Sequence, residues 1–77
     1  MTAKEAYRLI EKGSGELIEC CDFGKFFGFI FGEKDHDFAT AYWCIDKETR
    51  KQFGFSPFDD FDVYDKGVQI PVSEVIA

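Results

Sequence analysis

The sequence predicts an α+β fold: an N-terminal helix packed on a four-stranded antiparallel meander, then a short acidic helix and an extended tail. Three observations predict it. Over residues 3–12, apolar positions recur at spacings of three and four, the mark of an amphipathic helix. FFGFIF, ATAYWCI and KQFGF are short apolar or aromatic runs separated by polar turns, as in successive hairpins. Ser56-Pro57-Phe58-Asp59 opens like a second helix, with a serine cap, proline first and an acid in the first turn.

Size and charge bound the rest. Seventy-seven residues make one domain, 1–77, with an ordered core over 1–72 and a frayed end over 73–77. A hydrophobic share of 45% and ten phenylalanines indicate a real core. At this length burial barely outweighs chain entropy, so self-association is an expected further source of stability. The formal charge of -6 leaves no cationic track for nucleic acid, and disfavours an anionic membrane surface. No apolar run reaches the roughly 20 residues that span a bilayer, and residues 1–12 are no signal peptide. Three cysteines without a CxxC pair fit free thiols in a reducing cytoplasm.

The elements follow in order. Thr2 and Glu5 are spaced as a capping box, and Ala3, Ala6, Tyr7 and Ile10 form one stripe. Lys12 and Gly13 suit the helix end. Ser14-Gly15 leads into a strand at 16–21, whose Leu17, Ile18, Cys20 and Cys21 put apolar groups on both faces. Asp22 to Lys25 reads as a hairpin loop with Gly24 free for a positive φ. In the strand Phe26 to Phe31, alternation sends Phe27, Phe29 and Phe31 to one face and Phe26, Gly28 and Ile30 to the other.

Gly32 to Asp37 is a charged loop, and Phe38 to Asp46 is the third strand. There Ala39, Ala41, Trp43 and Ile45 oppose Phe38, Thr40, Tyr42 and Cys44. The small residues Gly28, Ala39 and Ala41 leave room for a close helix, which places helix 3–12 over them and Trp43 in the core beneath it. A slip of one residue in register reverses that assignment. Asp46 to Arg50 is the next turn and Gln52 to Phe55 the fourth strand. Phe58, Phe61 and Tyr64 recur at threes in a helix over 57–66 ended by Gly67, and Pro71 confines the extended 68–72 to an edge.

The stretch IDKETRKQF, with the element order of roughly the first fifty-five residues, resembles PepSY-like domains and several families of small bacterial and phage proteins. In those a helix leads into a sheet and a strand ends in Asp-Lys-x-Thr-Gly. Arg50 stands here where that pattern has glycine, and an L-residue held at positive φ costs about 1 kcal/mol. The resemblance implies an α+β fold, no catalysis, and an inhibitor-like or accessory role in a phage or mobile-element setting.

Candidate chemistry is sparse. Asp59, Asp60, Asp62 and Asp65 invite a calcium reading, but the glycine and bidentate glutamate of an EF-hand loop are misplaced, so they read as the wet face of a helix. Cys20 and Cys21 point to opposite faces of their strand, and with Cys44 and His36 they lack the paired spacing of a zinc site. They read as small buried hydrophobes. His36 between Asp35 and Asp37 reads as a solvated loop residue, since no spacing brings a nucleophile to it. Gly24, Gly28 and Gly32 imitate a phosphate loop, but interleaved phenylalanines would block the backbone amides.

No catalytic, cofactor or metal site is therefore expected. The remaining signal is the aromatic surplus. One helix covers one face, so Phe27, Phe29, Phe31 and Tyr42, with Phe53 or Phe55, are expected to form an exposed apolar patch on the other unless segment 57–66 covers it. The expected function is a non-enzymatic protein-interaction module that docks a protein partner or forms a homodimer through Phe27, Phe29, Phe31, Tyr42 and Phe55. The alternative is an acidic decoy whose Asp59, Asp60, Asp62 and Asp65 occupy the basic site of a nucleic-acid-binding protein.

Overall fold

The computed structural model describes residues 1–10, 16–32 and 42–76. It is an α+β fold in the order α1 (Ala3–Leu9), β1 (Glu16–Asp22), β2 (Phe26–Gly32), β3 (Tyr42–Asp46), β4 (Gln52–Phe55), α2 (Phe61–Asp65), β5 (Val68–Ile70) and α3 (Val72–Ile76). The strands form one five-stranded sheet in the order β4-β3-β2-β1-β5, each neighbouring pair antiparallel. The meander is as expected, and β5 adds a fifth strand at its β1 edge. Helix α1 stops at Leu9, with Ile10 already extended, short of the expected 3–12. Lys12 and Gly13, the loop with His36, and the expected start of the third strand at Phe38 to Ala41 lie outside the described residues.

Helix α1 begins where Thr2 caps it: the Glu5 N–H donates to Thr2 Oγ1 at 3.2 Å, and the Thr2 hydroxyl donates to Glu5 Oε1 at 3.4 Å. The β1–β2 loop turns at Gly24, with φ at 93°, and its N–H donates to Asp22 Oδ1 at 2.8 Å. The β3–β4 turn is held by Asp46, whose Oδ1 accepts from the N–H groups of Glu48 and Thr49, each at 2.8 Å. Arg50 closes it in the left-handed region at φ 61°.

Alternation within each strand is as expected, but the register between strands and the cover are not. Phe29 pairs with Trp43, so Tyr42 and Phe55 share the face of Gly28 and Ile30 rather than that of Phe27, Phe29 and Phe31, and the helix lies on the phenylalanine face. Phe27, Phe29, Ile45 and Cys20 form one core cluster with Ala6 of α1 and Val75 of α3, and Phe31 and Tyr7 pack against it. Tyr7 lies 6.0 Å from Phe29 and 6.2 Å from Phe31, ring centre to ring centre. Closeness thus comes from small residues on the helix, Ala3 and Ala6, which seat it on large sheet residues. Gly28, on the opposite face, makes room for a phenylalanine ring and not for a helix.

Two further corrections follow from this packing. Trp43, expected beneath the helix, is 45% exposed. It shares the helix-side face, but α1 lies chiefly over β2 and α3 over β1, and their cover extends to Ile45 of β3 but leaves Trp43 open. The tail, expected to fray, is instead α3, whose Val75 is 1% exposed and completes the roof beside α1.

The second face has its own core of Cys21, Phe23, Ile30, Tyr42, Cys44 and Phe55, with Phe26 and Val63 packed against it. Phe23 folds down from the β1–β2 loop and Val63 comes from α2. The segment Ser56 to Asp59 is a turn, not the start of that helix. Ser56 Oγ accepts from the Phe58 N–H at 3.2 Å while Asp59 Oδ2 accepts from the Ser56 N–H at 2.8 Å. That reciprocal pair closes the turn, and the helix starts afresh at Asp60, whose Oδ1 accepts from the N–H groups of Asp62 and Val63.

Candidate functional site

The aromatic docking face foreseen from the sequence does not exist as a surface. Phe27, Phe29, Tyr42 and Phe55 are buried within a single copy, Phe29 completely, and Phe31 is half-covered under Tyr7. The premise of too little helix fails because α3, α2 and the Phe23 loop together roof both sides. Four of these five residues are core, and Phe31 packs against its edge.

The acids are also partly engaged. Asp59 and Asp60 direct carboxylate oxygens at backbone N–H groups of the turn and of α2. Asp62 and Asp65 are exposed on that helix. Phe58 and Phe61 are not its buried stripe; they meet edge to face at 5.9 Å and are 78% and 62% exposed. Among the described residues no group of three or more histidine, cysteine or acidic side chains is placed to hold a metal ion.

Two features remain open. The first is the β4 edge. The row Cys20, Phe29, Trp43, Gly54 crosses the sheet on the helix side, and cover gives out at Trp43. Trp43, Gln52, Phe53, Gly54 and Tyr42 border an apolar hollow of about 400 Å³ there.

The second is a cleft of about 270 Å³ on the opposite face, between the sheet and α2, walled by Phe23, Tyr42 and Tyr64 with Glu19 and Asp65 among its lining residues. Glu19 is placed there by a register shift in β1. Leu17 pairs with Phe31 but Glu19 pairs with Ile30, so Ile18 is an extra residue, and beyond it every side chain changes face. The Tyr42 hydroxyl then reaches across β2 and donates to Glu19 Oε2 at 2.9 Å. Burial and that carboxylate push the tyrosine well above its ordinary range. Cys21, also in the lining, is raised by burial and by the charge of Glu19.

The other thiols are inert by the same physics. Cys20 and Cys44 are completely buried, and burial pushes each up to about 12. A thiol that stays protonated is a poor nucleophile and a poor metal ligand. Sequence reasoning passed over Glu19 and Tyr64. The available signal was the broken alternation at Leu17-Ile18, which marks a bulge.

No helix among the described residues is long and apolar enough to cross a membrane. Neither a family model, nor a curated protein, nor a solved structure matches the chain.

Proposed function

We propose that this chain is a small non-enzymatic interaction module that self-associates by pairing its β4 edge with β4 of a second copy. The observation that carries this reading is the asymmetry of the two sheet edges. β5 is three residues long and runs into Pro71, which has no N–H to offer a neighbour. β4, Gln52 to Phe55, carries no charge or proline of its own, and its Phe53 and Gly54 border the apolar hollow together with Trp43. Among the described residues no strand pairs with the outer side of β4, and a sheet edge of that kind is a template for another strand.

Charge supports a second copy as the occupant. Arg50 and Lys51 precede β4, and Asp59 and Asp60 follow it. Antiparallel pairing about a two-fold axis lays the basic end of each strand beside the acidic end of the other. The raised thiols support a non-catalytic role, and three free cysteines suit a reducing cytoplasm.

Sedimentation of the native chain and of Gly54→Lys tests the reading. A Cβ at Gly54 meets nothing within 4 Å, so the variant keeps the fold and places a charge at the middle of the edge. The expected result is a concentration-dependent dimer for the native chain and a monomer of unchanged circular dichroism for the variant. A native chain that is monomeric throughout, or a dimer indifferent to the substitution, overturns it.

A further inference from the structure

We infer that the cleft between the sheet and α2 is a binding site for an alkylammonium group, held against Tyr42 and Tyr64 and neutralised by Glu19 and Asp65. The walls are aromatic: Tyr42 and Tyr64 lie 6.3 Å apart, inclined at 49°, and Phe23 stands edge-on to Tyr42 at 5.0 Å. Ring faces attract cations through their quadrupole, and several rings set around one point form a cage for an ammonium head.

Charge points the same way. Among the described residues the lining holds two carboxylates and no lysine, arginine or histidine. Glu19 and Asp65 form no ion pair among the described residues, where Lys47 pairs with Asp22 instead. The bulge at Ile18 is a separate observation. It costs β1 a residue of pairing and leaves Ile18 47% exposed, and what it achieves is to turn Glu19 into this cleft.

Size and shape narrow the ligand. At about 270 Å³ the cleft is slightly below the ~300–1,000 Å³ usual for whole small molecules, so it accommodates a head group or a side-chain end. Mutually inclined walls suit a compact, rounded cation better than a flat guanidinium, which stacks on parallel faces. A metal ion would need several converging oxygens, and one Glu19 oxygen already accepts from Tyr42.

The test is NMR of the aromatic ring resonances during titration with choline, with Nα-acetyl-lysine amide, and with the uncharged isostere 3,3-dimethylbutan-1-ol. Saturable shifts of Tyr42 and Tyr64 are expected with an ammonium probe and not with the isostere. Tighter binding of the lysine amide assigns the group to a protein side chain, and tighter binding of choline to a small amine. Glu19→Gln keeps an acceptor for the Tyr42 hydroxyl and removes the charge, so it is expected to weaken ammonium binding about tenfold with the fold intact. Tyr64→Leu, at an exposed position, removes one wall and the preference for charge. Equal response to the isostere, no saturable shift, or affinity unchanged in Glu19→Gln overturns the inference.

Discussion

The ring of Phe23 fills the space that a side chain at Gly28 would need. A Cβ built on Gly28 would stand 2.5 Å from the Phe23 ring and 3.0 Å from Tyr42, and one on Gly67 would stand 2.6 Å from the same ring. Phe23 is thus clamped between a strand glycine and the glycine that follows α2. The second core depends on both being bare.

That clamp predicts a contrast between glycines. Gly28→Ala forces the buried Phe23 and Tyr42 rings apart and is expected to cost about 1–3 kcal/mol, as overpacking does. Gly54→Ala, in the same sheet but in open space, is expected to stay within about 0.5 kcal/mol of the native chain. Urea unfolding midpoints check both. Equal effects at the two positions would refute the clamp.

Arg50 carries the second prediction. It is the one described non-glycine residue at positive φ, and its N–H donates to the Asp46 carbonyl at 2.9 Å, so the turn cannot relax without losing that bond. Arg50→Gly removes about 1 kcal/mol of left-handed strain and returns roughly half of it as unfolded-chain entropy. The expected order of thermal stability is Gly above Arg, with Arg50→Val below both because a β-branched residue tolerates that φ least. Melting curves of the three chains decide it.

The third prediction concerns alkali. Below about pH 9 the thiols are protonated whether the chain is folded or not. Between that value and about 12, the unfolded chain releases protons that buried Cys20 and Cys44 retain, so stability falls as pH rises through this window. Each thiol contributes a slope of up to about 1.4 kcal/mol per pH unit. Equilibrium unfolding from about pH 8 to about pH 11 measures the total, and a shallower decline in Cys44→Ala isolates that thiol's share. An unchanged slope would mean that Cys44 ionises as readily in the fold as out of it.

Much of the fold could be read from residues alone, and the failures are physical. The assignment of Phe27, Phe29 and Phe31 to one face and Gly28 and Ile30 to the other rests on the two-residue period of a strand, which needs no knowledge of what lies above it. Which face a helix covers is a different kind of fact. Ala3 and Ala6 could seat the helix on large residues as easily as Gly28 could have received it, and the stripe on α1 does not choose. α3 was hidden because VSEVI is too short to show a helical period, yet Val75 fills the last gap over Cys20 and Phe29. The cleft was hidden by one residue. Without the extra Ile18, alternation puts Glu19 on the other side of the sheet, far from Tyr64.

The meeting of α1 with α3 has a consequence for how the chain acquires its shape. These helices come from opposite ends of the described sequence and share the cluster around Phe29. All of the sequence between them must be drawn into a loop before Val75 can join Ala6 in that cluster. On a ribosome the sheet is therefore made while one side of it is still incompletely sheltered, and closure waits for the last turn of helix to emerge. Until then the phenylalanine row is the stretch that a chaperone, or a neighbouring nascent chain, would find first.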